Sequence, residues 1–378
     1  MEKAMRYDWL IVGAGVTGSV FAREMTDKGY RCLVIDKRPH IGGQCYCENI
    51  EGVDVHKYGA HIFHTASDIS WQYFLKYAGD VRRLPIYTVQ AMSNGQIYPL
   101  PFNMNTFAKI WPDVRYPEEA RNRIKAQTQS KKQDSCNNLR DEAIRQVGQD
   151  VFDLLIKGYT EKQWGKRCEE LPAEIIGRIP VRFVYDNNYY FCDKIGIPRR
   201  GYNEFFKNLL KGIEVRIDCD ILKNMQLMDE AENILCTSPI DEFFDYYYGK
   251  LEYRSLHFDF EVVEKAKTQG TPVVNFCDDS VRYTRRIEHN LFTDIHHEKV
   301  VFSYEYPQNY EGTADPYYPI PSLANKLRYQ SYKELCGKQY GQKILFAGRL
   351  GGYRYISMDE AINEALELSE RFERISTV

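Results

Sequence analysis

The chain has 378 residues, 43% of them hydrophobic and 27% charged, which excludes a disordered chain and allows two or three domains with sizeable cores. A formal net charge of −3 and a pI near 6.3 leave no basic field for a polyanion, so nucleic acid is not an expected partner. No apolar run approaches the roughly 18 residues of a membrane helix, and no membrane span is expected.

Asp8-Trp9-Leu10-Ile11-Val12 reads as a short buried strand running into Gly13-Ala14-Gly15-Val16-Thr17-Gly18, then a helical stretch, then a second strand, Cys32-Leu33-Val34-Ile35, capped by Asp36. This is a G-x-G-x-x-G turn inside a βαβ unit. Gly13 permits the tight turn, Gly15 lets backbone N–H groups approach a pyrophosphate, and Gly18 lets the helix pack close to the sheet. The helix N-terminus stabilises the anion, and Asp36 can bind ribose hydroxyls. Gly42-Gly43 soon afterwards supplies a second stretch of backbone able to lie against a ligand. A flavoprotein needs that more than a nicotinamide enzyme does, so FAD is the expected dinucleotide.

The first strand is reached by Asp8, so no signal peptide is expected; the ten cysteines, with no C-x-x-C pair, read as reduced thiols of a cytoplasmic protein. His56, His61 and His64 lie close in sequence but lack a matching pair of ligands, so no metal is expected. Residues 67–78 have helical spacing, with Trp71, Phe74, Leu75 and Ala78 on one face. Tyr87 to Tyr98 alternates around Asn94-Gly95, the favoured type I′ hairpin turn. From Asn105 to about Glu170 the signals are helical, with stripes at Leu139, Ala143, Ile144 and Val147 and at Val151, Leu154, Leu155 and Gly158. Val181 to Tyr190, Pro272 to Phe276 and Val300 to Tyr304 read as strands that join the hairpin in a second sheet. Lys343 to Ala347 is again a buried strand, followed by glycines and a helix from about Asp359 to Arg371.

The expected fold is α/β: a discontinuous Rossmann-like FAD-binding domain with an inserted helical subdomain and a second antiparallel β-sheet. Residues 1–80, 195–245 and 338–378 are assigned to the FAD domain, 103–175 to the helical subdomain, and 81–102, 176–194 and 246–337 to an antiparallel-sheet substrate domain. The 29 tyrosines cluster, and a cleft lined with phenols suits a sugar or a uracil ring.

Several separated motifs carry a family resemblance: His40-Ile41-Gly42-Gly43, Lys57 to Thr65, Leu100-Pro101-Phe102-Asn103 onward to Phe107, Lys157-Gly158-Tyr159-Thr160 onward to Gly165, Arg178-Ile179-Pro180-Val181-Arg182, Tyr283-Thr284-Arg285, Tyr317-Tyr318-Pro319 and Gly348-Arg349-Leu350-Gly351. Through them most of the chain resembles the UDP-galactopyranose mutases, flavoenzymes that interconvert UDP-galactopyranose and UDP-galactofuranose. The resemblance implies a redox-neutral isomerase in which N5 of reduced FAD is the nucleophile at the anomeric carbon. Arg178, Arg285 and His61 would then be catalytic, with both arginines on the diphosphate and Arg178 on a mobile segment. Tyr159, Thr160, Trp164, Tyr189, Asn275, Tyr318 and Tyr355 would bind substrate. Gly13, Gly15, Thr17, Gly18, Asp36, Lys37, Gly43, Gln44, His61, Arg349 and Met358 would hold the cofactor. An external reductant such as NAD(P)H is implied, a homodimer is one expected assembly, and the product would serve cell-surface polysaccharide synthesis.

The chain departs from the family pattern in Asp36 for Glu, Gln44 for Asn, Ser357 for Asp, and the unpatterned run Phe191 to Ile195. These departures bear on the sugar nucleotide, with dTDP-fucose or UDP-N-acetylgalactosamine as alternatives. Two further readings are an FAD oxidoreductase of the amine-oxidase type and a non-catalytic nucleotide-sugar binder.

Overall fold

A strand covered on both faces reads as a continuous apolar run, and Tyr7–Val12 (β1) is buried at every position. β1 passes through the glycine turn into the helix Val16–Asp27 (α1) and returns as Cys32–Ile35 (β2), parallel to β1. The structure is a computed structural model describing residues 6–84, 87–128, 138–178, 180–312 and 314–372, with backbone only at 177 and 178. Ala231–Cys236 pairs with the other side of β1, Ile344–Phe346 lies beyond it, and Glu214–Arg216 lies outside β2. All four pairings in this five-stranded sheet are parallel. The C-terminal helix Met358–Glu370 packs against α1, so the first and last segments of the chain meet.

Cys47–Ile50 (β3) and Val53–His56 (β4) form a small hairpin. Phe63–Thr65 (β5) pairs with Lys194–Pro198, which also takes up Val81–Arg83. Between β5 and Val81 the helix Asp68–Ala78 buries Trp71, Phe74 and Ala78 as its spacing predicts, and Ser67 caps it by accepting the Ser70 N–H.

A seven-stranded sheet forms the second body of strands. Its order is Tyr318–Pro319, Tyr253–Glu264, Lys299–Asn309, Arg285–Glu288, Val273–Phe276, Val89–Ser93 and Gln96–Leu100. It is antiparallel except where Val89–Ser93 runs parallel to Val273–Phe276. The Asn94-Gly95 turn forms as expected, with φ of 50° and 72°. The helices Met104–Ile110, Pro117–Thr128 and Leu139–Val147 follow, and Leu139, Ala143, Ile144 and Val147 are buried together. Helix continues through a π-helical turn, Phe152–Ile156, into Lys157–Trp164. One apolar core joins Trp9 of β1 and Phe21 of α1 to Phe107 and Ile144 of the helical insert. Among the described residues no helix is long and apolar enough to cross a membrane.

The strand expected over Val181 to Tyr190 does not form; its one sheet-like contact is a single bridge from Val181 to Phe102. Its backbone donors go to scattered acceptors instead of a ladder: Arg182 N–H to Phe102, Asn188 N–H to the Asp186 carboxylate, Tyr189 N–H to Tyr87. The Arg182 guanidinium closes the bend by donating to Asp186 Oδ2 at 2.7 Å and to the Asn188 carbonyl.

Candidate active site

The glycine turn lines a long cradle whose walls run from Ile221 and Pro239 past Gly13, Gly15 and Gly43 to Met358 and His61. A Cβ at Gly18 would fall 2.0 Å from the Gly13 carbonyl oxygen, so glycine is what lets α1 pack close to the turn. Gly13 is at φ +107°, and a Cβ there would strike Thr237 Oγ1. A Cβ on Gly43 would sit 3.0 Å from Gly15 Cα: the two backbones face each other across the cradle. Gly15 is the N-cap of α1 and offers no side-chain acceptor, which leaves the first-turn N–H groups for an anion.

Asp36 is 4% exposed and ties the end of β2 to the turn, accepting from Ala14 N–H at 2.8 Å and Arg38 N–H at 2.9 Å. Thr17, Lys37, Gln44, Arg349 and Met358 line the same cradle. Arg349 donates to Gln44 Oε1 at 3.2 Å and to the Ile356 carbonyl at 2.8 Å. Its guanidinium also lies 5.9 Å from the Tyr318 ring centre and 5.2 Å from that of Tyr355.

A second cavity opens between the helical insert and the seven-stranded sheet. Tyr159, Thr160, Trp164, Tyr189, Asn275, Arg285, Tyr318 and Tyr355 all line it, although they come from positions scattered along the chain. Tyr159, Thr160 and Trp164 come from Lys157–Trp164, Asn275 and Arg285 from adjacent strands, and Tyr189 from the 181–190 bend. Its lining also includes the aliphatic side chains of Leu100, Leu139, Leu155 and Ile156. Arg285 pairs with Glu305 at 3.5 Å and lies 5.8 Å from the Tyr159 ring centre. Burial pushes the phenols of Tyr159, Tyr189 and Tyr318 above the usual range, so they remain protonated donors. The Glu305 carboxyl is 2% exposed, and burial raises its pKa against the opposing pull of Arg285. Tyr159 Oη, Asn275 Oδ1, Arg285 Nε and Glu305 Oε2 are all buried without a hydrogen-bond partner. Native proteins rarely leave such atoms unsatisfied, and the three on Tyr159, Asn275 and Arg285, which line this chamber, mark the place of a polar ligand.

Cradle and chamber meet at a connecting cavity lined by His61, Arg349, Tyr318, Tyr355 and Arg285. The His61 ring places Nδ1 at 2.7 Å from the Gly59 carbonyl, which can only accept, so the proton is on Nδ1 and Nε2 is a bare acceptor. Burial holds this imidazole neutral, its pKa lowered to about 4. His64 stacks on Tyr190 with ring centres 3.8 Å apart. Ser357 caps the C-terminal helix, and Glu360 reaches back to accept its N–H at 2.7 Å.

Arg178 ends the 3-10 turn Ala173–Arg178, whose Ile175 and Ile176 line the chamber; the Arg178 side chain itself lies outside the described residues. Sequence reasoning missed Glu305 and Gln163, which is 9% exposed and accepts from Thr284 Oγ1 at 3.2 Å. A signal for Glu305 existed: it continues the buried alternation Val301, Ser303 of its strand, an inward register position for a charge.

The sequence model of the UDP-galactopyranose mutase family matches residues 154–355, and that of an NAD(P)-binding Rossmann-like domain matches residues 11–78. The chain is 37% identical over 374 residues to a Klebsiella pneumoniae protein described as "Probable UDP-galactopyranose mutase", covering 96% of this chain and 94% of that one. It is 35% identical over 374 residues to a dTDP-fucopyranose mutase of Escherichia coli, covering 96% and 97%. Among solved structures, reduced UDP-galactopyranose mutase superposes with a TM-score of 0.77 at 14% identity, covering 97% of this chain and 95% of that one. A putrescine oxidase variant reaches 0.60 at 11% identity, covering 98% and 99%; both likenesses speak for the fold alone.

Proposed function

This chain belongs to the UDP-galactopyranose mutase family, and on that premise we propose that it interconverts UDP-galactopyranose and UDP-galactofuranose with FAD in its reduced form. Its class is nucleotide-sugar mutase, an isomerase, and its cofactor is FAD. The residues present fit that cofactor: facing Gly15 and Gly43 backbones, an uncapped α1 N-terminus and Asp36 line a cradle of dinucleotide shape. The observation that carries the substrate reading is the set of unpartnered polar atoms around Arg285, in a chamber continuous with the cradle at His61 and Arg349.

Reduced FAD, when bound, supplies the nucleophile for the anomeric carbon. The side chains are left with binding and charge. Arg285, together with Arg178, holds the diphosphate; a unit charge about 4 Å away is worth roughly 4 kcal/mol at an effective dielectric near 20. Only the part that grows as the nucleotide separates lowers the barrier. Tyr159, Tyr318 and Tyr189 donate O–H groups to phosphate or sugar oxygens, while Trp164 and the tyrosine rings offer faces to the base and sugar. His61 offers Nε2 as an acceptor at the junction. An external reductant such as NAD(P)H is needed to keep the flavin reduced.

A second reading, dTDP-fucose as substrate, draws on the Escherichia coli relative and on the aliphatic side chains in the chamber lining, which suit a thymine methyl. Parallel incubations with UDP-galactopyranose and dTDP-fucopyranose separate the two. A higher kcat/KM for the UDP sugar supports the first and a higher one for the dTDP sugar the second; the two differ in the base methyl, the ribose 2′-OH and the sugar 6-OH, and a methyl alone in an apolar pocket is worth about 10- to 200-fold.

A further inference from the structure

Behind His61, away from both cavities, two more imidazoles are buried in series. His56, the last residue of β4, and His289 are 3% and 0% exposed. His61 donates its backbone N–H to His56 Nδ1 at 3.0 Å, and His56 donates its backbone N–H to His289 Nδ1 at 3.2 Å. His289 Nε2 lies 2.8 Å from Ser303 Oγ. An Nδ1 that accepts an N–H carries no proton, so both rings are Nε2–H tautomers, the opposite of His61. The His56 ring is clamped by Phe292, stacked at 4.9 Å, with Tyr202 edge-on at 5.7 Å. Burial keeps both rings uncharged, which preserves Nδ1 as an acceptor.

We propose that His56 and His289 are positioning residues, a two-imidazole strut from Ser303 on the large sheet to the backbone of His61 that fixes where the His61 Nε2 lone pair points. The strut explains why imidazole, rigid and acceptor-bearing, occupies two core positions where an aliphatic side chain would pack. The inference rests on the reading of His61 as part of the flavin and sugar site, and its structural half is tested without turnover.

Protein with 15N-labelled imidazole rings, eight in the chain, gives long-range proton–nitrogen correlations that report each tautomer; His56 and His289 are assigned through H56N and H289N. Nε2–H patterns for His56 and His289 and Nδ1–H for His61 are expected, and an Nδ1–H pattern at His56 or His289 overturns the strut. In flavin-loaded enzyme, H56N keeps an oxygen acceptor where Nδ1 was and should hold kcat within about threefold of wild type. H56L removes the acceptor and should lower kcat about ten- to hundredfold, a misplacement effect, with the UDP Kd unchanged. A folded, flavin-replete H56L with wild-type kcat overturns the proposal, as does an H56N as impaired as H56L. Wild-type protein with the expected tautomers but no mutase turnover would instead refute the functional reading on which the role of His61 depends.

Discussion

Glu305→Gln should tighten UDP binding about tenfold. The Glu305 carboxylate is 3.5 Å from Arg285 Nη1 and 2% exposed, so it competes with any diphosphate for the same guanidinium. A phosphate on the far side of that group would sit about 6.5 Å from the carboxylate, where two unit charges repel by about 2.6 kcal/mol at an effective dielectric of 20. Solvent reduces this, because Arg285, the group between the two charges, has 35% of its side chain exposed and the field across it is partly screened. Halving the figure leaves about 1.3 kcal/mol, or roughly tenfold in Kd. Glutamine keeps an acceptor for Arg285, so the guanidinium should stay aimed. Calorimetric titration of UDP into FAD-loaded wild type and E305Q reads the difference. An unchanged or weakened Kd, in a variant with full flavin content and a Tm within a few degrees of wild type, would refute the competition argument.

Arg285→Ala should cost about 10²–10³ in kcat, comparable to losing one preorganised donor; turnover within threefold of wild type would remove Arg285 from the leaving-group role. Gly18→Ala forces a Cβ to within 2.0 Å of the Gly13 carbonyl oxygen, so lowered FAD occupancy and a Tm reduced by the equivalent of about 1–3 kcal/mol are expected; full occupancy with an unshifted Tm contradicts the packing account. His61 and His289 titrate at about 4 and about 3 when folded, against about 6.5 unfolded. Their contribution is present above pH 6.5 and is lost as pH falls from there toward 4, because the unfolded chain takes up the protons; a Tm flat from pH 7 to 4.5 would show that these rings are not buried neutral.

Local grammar made the cofactor half of the fold legible. The turn from Gly13 to Gly18, its two strands and Asp36 form one continuous stretch; Gly18 answers to a contact within it and Gly15 to Gly43 just beyond it, while Gly13 answers to the distant Thr237. The chamber was readable only by family resemblance, because Tyr159 comes from a helix and Asn275, Arg285 and Tyr318 from three strands, a convergence that spacing alone does not encode. Val181 to Tyr190 was misread because its aromatic residues look like strand. Phe183 instead packs on Phe107, Tyr189 faces the chamber, and Asp186 and Asn188 take the turn contacts. Glu305 escaped notice because a single acid in a strand resembles a solvent-facing residue until its register is known.

The most direct test of the central claim is product analysis by chromatography after anaerobic incubation with UDP-galactofuranose, once with dithionite-reduced flavin and once with oxidised flavin. UDP-galactopyranose should form only with the reduced flavin, with no net consumption of reductant. Equal conversion in both states, or flavin oxidation in step with sugar loss, would contradict a redox-neutral mutase built on reduced FAD.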